Sequence, residues 1–341
     1  MDIDRLEIGF AGARGFDPED FHLSVDGMTP RGPNLSHWPG NRTPPRYKAD
    51  LSTGICLNFA RAPRAEQRDF LAGVAAVVND HYDTDGFLSL LAVTRPDLAL
   101  AEEATCLSAA VTGDYGAYHT QSGFAIDRIV THPADRHSPF AAEFAGLGDA
   151  ERALARYRWL IAQAERVLAV DSDFDPLWRD EWRVATEELR ACRDGGIVRG
   201  RAPALGLSIV QSTGPLRRMT LNTLAGAFRV LHAIGGGDGF RFRYHDRTES
   251  WFEVVSFTPL PRVDLRPLAA RLQTLEGDAA ADARWCADPP DVPVPELWFG
   301  RDEPQAYGAV TRELAPSRLR PATVRAEFLH HLEGAAAAPS H

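Results

Sequence analysis

Lysine is almost absent from this sequence, and the features that mark several common protein classes are missing as well. Among 37 basic residues only Lys48 is a lysine, and 47 acidic residues bring the formal net charge to −10. Because a protein that coats duplex nucleic acid normally needs a basic face, we expect no duplex nucleic-acid partner. No apolar run approaches the roughly 18 residues of a membrane-spanning helix, and the first residues form neither a basic nor an apolar signal segment. We therefore expect a cytoplasmic protein with no membrane partner.

Cysteine is scarce, and its spacing excludes two kinds of site. Cys56, Cys106, Cys192 and Cys286 lie far apart and form no C-x-x-C pair, so neither a zinc knuckle nor a redox dithiol is expected. We predict that they are small, buried or half-buried hydrophobic residues. The signature motifs of P-loop nucleotide-binding proteins, ordinary serine hydrolases and H-E-x-x-H zinc proteases are also absent, and no G-x-G-x-x-G opens an early helix.

The composition and the order of patterns predict an α/β protein. With 341 residues, 44% apolar and 25% charged, the chain is long enough for two soluble domains. We expect a mostly parallel sheet with flanking helices in residues 1–145, which would carry the site at its carboxyl edge. A helical segment over 146–200, a smaller α+β accessory region over 201–333 and a disordered tail over 334–341 would follow.

Hydrophobic periodicity supplies the individual elements. The predicted strands are 5–11, 21–26, 74–79 and 205–210, with a hairpin that joins 240–245 to 251–257. The predicted helices are 50–61, 87–93, 98–111, 154–168, 176–193, 221–231, 265–275 and 321–332. Residues 27–45 are predicted to form one long loop and 278–296 an irregular stretch. A loop as long as 27–45 is usually functional or disordered, so its polar residues are candidates for a site.

The strongest chemical signal is the segment His81-Tyr82-Asp83-Thr84-Asp85-Gly86, which follows the predicted strand 74–79, apolar from 74 to 78. At the end of a buried strand, His81, Asp83 and Asp85 would project imidazole and carboxylate ligands into one small volume. A divalent cation would remove the repulsion between the carboxylates, and Mn²⁺ suits such a set, with Fe²⁺ and Mg²⁺ as alternatives. The alternative is a polar loop in which Asp85 caps the following helix. An EF-hand is excluded, since Ala92 stands where a bidentate glutamate is required.

This segment resembles the first motif of the DHH phosphoesterase superfamily. The resemblance implies a two-manganese centre that hydrolyses phosphodiesters or pyrophosphate, with His81, Asp83 and Asp85 among its ligands. Asp114, after a helix, would take the place of the second acidic motif, and residues 131–137 would loosely correspond to the third. The DHH triplet itself is absent from the sequence.

Two further likenesses accompany this one. The glycine-rich stretch 235–239 is similar to the substrate loop in the accessory domain of that superfamily, without the histidine expected after the third glycine. Residues 35–41, together with the His81 segment, also resemble an uncharacterised bacterial protein family. That second resemblance covers most of the chain and implies no activity.

The loop after the second strand contributes a second set of candidates. Asp26 would end that strand and face the same crevice as Asp83 if the two strands are neighbours, and His22 would share its face. We expect Asp26 and His37 to act in catalysis, His37 as a fifth ligand or a general acid, although His37 could simply pack the loop. An anionic substrate group would be bound by Asn41, Arg42 and Lys48, with Arg42 as a bidentate fork.

A row of basic residues near residue 240 is the third candidate. Arg241, Arg243 and His245 alternate with aromatic residues and would share one face of a strand. We predict that Arg241 and Arg243 bind substrate by clamping a phosphate group, and the alternative is a solvated face.

The leading hypothesis is a metal-dependent hydrolase, a DHH-like phosphoesterase that acts on a small anionic substrate. His81, Asp83, Asp85 and Asp114 would hold the metal. Two other classes stay open: a non-heme iron or manganese oxidase of a biosynthetic pathway, and a non-catalytic binding protein. The sequence leaves the substrate, the number of metals and the oligomeric state undetermined.

Overall fold

The structure is a computed structural model that describes residues 6–277, 282–304 and 310–337. It divides the chain into two compact units. Unit 1 contains residues up to Thr186 and a return segment, Phe252–Thr258, and unit 2 contains Glu187–Trp251 and the described residues from Pro259 onward. A parallel sheet in unit 1 and a mixed sheet in unit 2 confirm the predicted α/β class.

Unit 1 is built on a four-stranded sheet. Its strands are β1 (Glu7–Phe10), β2 (Leu23–Val25), β3 (Asn34–Leu35) and β4 (Ala76–Asn79). Their order in the sheet is β1-β4-β2-β3, and every pair is parallel. All four residues of β4 are buried, which explains the unbroken apolar run before His81, because both faces of a parallel sheet are covered.

The strand order places the ends of β2 and β4 side by side. Leu23 pairs with Val77 and Ser24 with Val78, so the residues after these strands emerge at one edge of the sheet. The carboxyl edge of a parallel sheet is where α/β proteins place their ligands. Asp26 was predicted to face the same crevice as Asp83 only if β2 and β4 are neighbours, and the structure shows that they are.

Helices surround this sheet. They are α1 (Ser52–Ala60), α2 (Arg64–Phe70), α3 (Thr84–Thr94), α4 (Pro96–Ala101), α5 (Glu103–Asp114), α6 (Gln121–Thr131), α7 (Asp149–Ala162), α8 (Ala164–Leu168) and α9 (Arg179–Ala191), of which α9 continues into unit 2. Several expectations need correction: residues 98–111 and 154–168 each contain parts of two helices, α2 and α6 were not predicted, and the supposed loop 27–45 contains β3. Thr120 caps α6 by accepting a hydrogen bond from Gly123 N, a start signal that hydrophobic periodicity alone does not reveal.

Unit 2 is built on a seven-stranded sheet. Its strands are β5 (Ile197–Ala202), β6 (Leu207–Ser212), β7 (Arg229–Gly236), β8 (Gly239–Asp246), β9 (Arg284–Ala287), β10 (Glu296–Pro304) and β11 (Val310–Leu314). The order is β11-β10-β8-β7-β6-β5, with β9 also paired to β10, and β6–β7 is a parallel pair among antiparallel ones. Its helices are α10 (Arg218–Ala225), α11 (Arg266–Glu276) and α12 (Pro321–Ala337).

The structure corrects the predicted elements around residue 230. The apolar stripe 221–231 is not one helix, because α10 ends at Gly226, whose φ of +58° is left-handed, and β7 follows. The hairpin joins β7 to β8 through the glycine-rich stretch, and residues 251–257 form no strand. Gly239, at φ +133°, closes this turn in a conformation that glycine adopts without strain.

The remainder of unit 2 follows the predicted pattern in part. The helix predicted over 265–275 is present as α11; Asp264 accepts a hydrogen bond from Arg266 N before it, and Gly277 follows its last residue. β9 lies within 278–296, which was predicted to be irregular, and residues 278–281 are outside the described residues. α12 extends through residues 334–337, which were assigned to the tail, and 338–341 are not described. In the part of the chain that the structure describes, no helix has the length and hydropathy needed to cross a membrane.

Candidate metal centre

Six side chains of unit 1 converge at the carboxyl edge of its sheet. They come from the ends of three strands, the first turn of α3 and the end of α5: Asp26, His37, His81, Asp83, Asp85 and Asp114. Within two groups, the possible ligand atoms all lie within 4.8 Å of one another. The buried group is Asp26, His37, Asp85 and Asp114, and the open group is Asp26, His81 and Asp83. The four predicted metal ligands and the two predicted catalytic residues thus form one constellation.

Asp26 belongs to both groups. Its Oδ1 lies 3.7 Å from His37 Nε2, and its Oδ2 lies 3.1 Å from His81 Nε2. The residue is buried, and its φ of +63° is left-handed, a conformation that costs free energy in any residue but glycine. Asp26 N donates to Leu35 O at 3.0 Å, which fixes the bend at the end of β2. One strained carboxylate therefore faces two ligand sets.

His37 is oriented toward the carboxylates by a contact on its other nitrogen. Its Nδ1 lies 2.7 Å from Asp50 O and so carries the proton that the carbonyl accepts. Nε2 then points into the buried group, 3.3 Å from Asp114 Oδ2, and makes no hydrogen bond within the described residues. Burial lowers the pKa of His37. A neutral imidazole with a free Nε2 lone pair is the form that binds a metal.

Asp85 is held by the start of a helix other than its own. Its Oδ2 and Oδ1 accept hydrogen bonds from Ser52 N and Thr53 N, both at 2.8 Å, at the start of α1. The N-terminal end of a helix favours a negative charge. The start of α3 is instead capped by Asp83, whose Oδ1 accepts from Gly86 N at 2.8 Å. The alternative interpretation, in which Asp85 caps the helix after it, is therefore wrong.

His81, in the open group, is held on its Nδ1 side by the carboxylate of Asp80. Its Nδ1 lies 2.9 Å from Asp80 Oδ1, and Asp80 Oδ2 accepts a hydrogen bond from Met28 N at 3.0 Å. Its Nε2 lies 2.9 Å from Asp83 Oδ2. A carboxylate that holds the far nitrogen of a histidine is the usual support of a metal-bound imidazole. The side chains of His81 and Asp83 are 27% and 34% exposed, so this group is open to a ligand.

Two glycines allow the chain to pass close to these side chains. A Cβ atom at Gly27 would lie 1.8 Å from Asp80 Oδ1, and one at Gly86 would lie 2.1 Å from Asn79 Nδ2 and 2.4 Å from the Tyr157 hydroxyl. That hydroxyl donates to His81 O at 2.9 Å and accepts from Asp83 N at 3.2 Å. The backbone of the His81 segment is thereby tied to α7.

Because several carboxylates lie close together, their ionised forms are unfavourable in the absence of a cation. Burial raises the pKa of Asp26 well above its usual range, and the charges of Asp83 and Asp85 add to the effect. Burial likewise raises the pKa of Asp114, with Asp85 and Asp26 as the next causes. Burial alone would lower the pKa of His81, but Asp83 and Asp26 outweigh it and raise that pKa. A divalent cation would reverse this balance, because it favours the ionised carboxylates.

The return segment 252–258 supports His37 from the distant part of the chain. The Phe252 ring stacks on the His37 ring with 3.8 Å between centroids and 15° between planes. Glu253 N donates to His37 O at 2.7 Å, and the Asp50 carboxylate accepts from Val255 N and Ser256 N at 2.7 and 2.8 Å. Sequence reasoning missed Phe252, Glu253 and Asp50, since no local pattern links positions so far apart. Asp80 was also missed, although its place directly before His81 was a signal.

The residues predicted to bind an anion are engaged in the loop itself. Arg42 Nη2 donates to Thr29 O at 2.8 Å and to Gly32 O at 3.2 Å. Asn41 and Lys48 both contact Glu253 Oε2, at 2.9 and 2.6 Å. In this structure the three side chains brace the loop that carries His37.

The remaining candidates lie outside the two groups. His22 packs against Phe16 and has its Nε2 3.8 Å from Asp20 Oδ2. The segment 131–137 contributes no side chain to either group among the described residues. In unit 2, Arg241 pairs with Asp238 at 2.8 Å and Arg243 with Glu296 at 2.8 Å. His245 is buried, with its Nε2 2.7 Å from Asn222 Oδ1, so it does not belong to a solvated face.

The fold and this constellation define an α/β protein with a cluster of carboxylates and histidines that could hold a metal ion. The chain belongs to a family of unknown function, DUF6687, which matches residues 9–341. This match agrees with the resemblance to an uncharacterised family over most of the length. No curated protein and no solved structure matches the chain. The comparisons therefore give no support to the likeness to DHH phosphoesterases, and family membership implies no activity.

Proposed function

We propose that this protein is a metal-dependent hydrolase with a two-cation centre, and that it acts as a phosphoesterase on a small anionic substrate. The observation that carries the proposal is the position of Asp26, whose two carboxylate oxygens face different histidines. A carboxylate placed in this way can bridge two cations. Two-metal hydrolases hold their ions about 3.5–4 Å apart, a separation that a bridging carboxylate spans.

The two groups would hold their cations differently. The buried group offers four side chains, three of them almost wholly inaccessible, and would enclose a resident ion. The open group offers three side chains, which leaves positions on its ion for substrate. This division supports a centre in which the ion held by the open group binds the substrate.

The ligand chemistry favours Mn²⁺. Each group combines one imidazole with at least two carboxylates, a hard, oxygen-rich set that suits Mn²⁺ and also accepts Fe²⁺ or Mg²⁺. Asp50 O and Asp80 would hold the two histidines in the tautomer that leaves Nε2 free for the metal. In this arrangement Asp26 and His37 would serve as metal ligands, which for His37 is one of the two roles expected from sequence.

The cations would supply the central chemistry by lowering the pKa of a bound water and by neutralising the phosphoryl oxygens. The chain's contribution is to fix their spacing through Asp26 and to orient His37 and His81. Because Arg42 and Lys48 are engaged in the loop, the substrate anion would be bound chiefly by the exposed cation. The reaction class therefore rests on the geometry and chemistry of the two groups and not on the resemblance to DHH phosphoesterases.

The oxidase hypothesis receives less support from the geometry. A mononuclear iron oxygenase places two histidines and one carboxylate on one ion. Here His37 and His81 belong to different groups, and each group holds one histidine. A non-catalytic binding protein would share the geometry and differ in having no turnover.

The test is hydrolysis of pyrophosphate and of a small chromogenic phosphodiester by protein reconstituted with Mn²⁺. We expect turnover that stops on chelation, resumes with Mn²⁺ and falls at least 100-fold in Asp83→Asn. The matched control is Asp135→Asn, which changes an exposed aspartate outside both groups and should leave the rate unchanged. Release of no phosphate by the Mn²⁺-loaded protein, or oxygen consumption with Fe²⁺ in its place, would overturn the proposal.

A further inference from the structure

Three arginines of unit 2 gather around one buried glutamate on the polar face of its sheet. Arg243 on β8, Arg312 on β11 and Arg218 at the start of α10 form what we call the arginine cluster, and all three contact Glu296 on β10. The opposite face of the same sheet carries the main hydrophobic core, which includes Leu297 and Phe299. Because side chains alternate along a strand, Glu296 and Trp298 share the polar face with the cluster.

The glutamate holds the three guanidinium groups in fixed positions. Arg243 donates from Nε to Glu296 Oε2 at 3.0 Å and from Nη2 to Oε1 at 2.8 Å. Arg312 Nη1 donates to Glu296 Oε2 at 2.6 Å, and its Nη2 donates to Asp288 Oδ1 at 2.7 Å. Arg218 Nη2 donates to Glu296 Oε1. Glu296 is only 2% exposed, so it anchors the three arginines from beneath.

The cluster has more positive charge and more donors than its own partners use. Three guanidinium groups face two carboxylates, Glu296 and Asp288, which leaves a surplus of one positive charge. Arg218 Nε and Nη1, and Arg243 Nη1, have no hydrogen-bond partner within the described residues. The side chains of Arg218, Arg243 and Arg312 are 40%, 36% and 26% exposed, so these donors can reach a ligand.

A buried tryptophan beside the cluster adds an independent sign. Trp298 pairs with Arg243 across the strands, and the Arg312 guanidinium lies 4.1 Å above its ring. The indole is 3% exposed, yet its Nε1 is buried with no hydrogen-bond partner in the described part of the chain. A buried donor without a partner costs free energy, so its presence calls for an explanation, of which a bound ligand beside it is one.

The arginines of the cluster add to the effect of burial on the pKa of two nearby histidines. Burial lowers the pKa of His232 to about 4, and Arg243 contributes to the shift. Burial lowers the pKa of His245 to about 3, with Arg218 as the next cause.

We propose that the arginine cluster is a binding site for a tetrahedral oxyanion, with the phosphate group of a small molecule as its ligand. Glu296 preorganises the guanidinium groups, and their outward N–H groups supply the charge-assisted hydrogen bonds that such an anion accepts. The site belongs to unit 2 and needs no metal. It therefore goes beyond the proposed function and would exist even if the metal centre had another activity.

The experiment is calorimetric titration of inorganic phosphate into the full-length, metal-free protein at constant ionic strength. We expect saturable binding that is at least tenfold weaker in Arg218→Gln and in Arg243→Gln. Saturable phosphate binding supports the site, and sulfate in place of phosphate shows whether the site accepts tetrahedral dianions in general or prefers phosphate. The matched control is Arg271→Gln, which removes a cation paired with Glu327 elsewhere in unit 2 and should bind as the wild type does.

A second readout keeps the test valid if Arg243→Gln fails to fold. The indole N–H resonance of Trp298, assigned through Trp298→Phe, should shift with phosphate in the wild type. Arg218, the most exposed of the three, can be replaced with the least risk to the fold. Phosphate binding no stronger than that of chloride, or equal binding by the wild type and a folded Arg218→Gln variant, would overturn the proposal. Because the protein is metal-free throughout, this outcome is distinct from a failure of the proposed hydrolase.

Discussion

Asp26 combines burial, a left-handed backbone and two histidine neighbours, and each property depends on the others. The positive φ turns the side chain at the end of β2 into the space between His37 and His81. Strain of this kind, which costs on the order of 1–3 kcal/mol, persists where the surrounding structure enforces it, and it often marks a functional site.

Replacement of Asp26 by asparagine should separate metal binding from folding. Asparagine tolerates the left-handed conformation and removes a buried negative charge that Asp83 and Asp85 disfavour. We expect Asp26→Asn to fold, to be at least as stable as the wild type without metal, and to lose most Mn²⁺ binding. Equilibrium dialysis and thermal unfolding measure the two effects, and Asp20→Asn, at an exposed position, is the control. Undiminished Mn²⁺ binding would rule out a bridging role.

Two buried histidines in unit 2 should make its stability depend on pH. The pKa of His245 is lowered to about 3 and that of His232 to about 4, below the value of about 6.5 in an unfolded chain. The unfolded state therefore binds more protons as the pH falls below 6.5, and the folded state loses stability. The loss is at most about 1.4 kcal/mol per pH unit for each histidine until the pH reaches the folded-state pKa.

His245→Gln should weaken this dependence. In urea unfolding of the metal-free protein between pH 7 and pH 4, we expect the variant's free energy of unfolding to fall less steeply than that of the wild type. His137→Gln, at an exposed position, is the control, and its free energy of unfolding should depend on pH as that of the wild type does. Parallel curves for the wild type and His245→Gln would contradict the assignment of a neutral, buried imidazole.

At the scale of the elements, the site depends on two neighbouring strands and the loops that follow them. β2 delivers Asp26, β4 delivers the His81 segment, and the glycine after Asp26 allows Asp80 to approach. Asp80 in turn holds His81 Nδ1 and Met28 N. A small change in the loop after Asp26 should therefore displace Asp80 and alter the position of His81 in the open group.

Gly27→Ala tests this dependence. The added Cβ would meet Asp80 Oδ1 at 1.8 Å, so Asp80 must move and lose its contact with His81. We expect about a tenfold weaker affinity for Mn²⁺ at the open group, the lower end of the effect of losing such a support. Gly214→Ala is the control, because nothing lies within 4 Å of the position that its Cβ would take and its φ is not left-handed. Equal Mn²⁺ affinities of the two variants would show that Asp80 does not support the site.

Local patterns predicted some of these elements and could not predict others. The buried run before His81 and the alternation of His81, Asp83 and Asp85 identified a strand, its end and the residues that gather there. The prediction of one helix over 221–231 was wrong because the apolar residues at helical spacing belong partly to α10 and partly to the buried strand β7. The left-handed Gly226 separates the two. Phe252 and Asp50 meet His37 only through tertiary structure, which periodicity cannot encode.

At the scale of the molecule, the candidate metal ligands found among the described residues all lie in unit 1, while the arginine cluster lies in unit 2. A cation that binds only the folded centre should stabilise unit 1, by about 2.7 kcal/mol at a free concentration 100-fold above its Kd. In differential scanning calorimetry we expect Mn²⁺ to raise the transition of unit 1 and to leave that of unit 2 in place. The Asp135→Asn variant should respond as the wild type does, and equal shifts of both transitions would argue against a centre confined to unit 1.

Whether Asp26 holds two cations next to each other can be decided by electron paramagnetic resonance of the Mn²⁺-loaded protein. Two Mn²⁺ ions bridged at about 3.5–4 Å are magnetically coupled, and their spectrum differs from that of isolated ions. We predict a coupled spectrum at two Mn²⁺ per chain, which is lost in Asp26→Asn and kept in Asp135→Asn. A spectrum of isolated Mn²⁺ at saturation, or saturation at one ion per chain, would contradict the bridging role of Asp26.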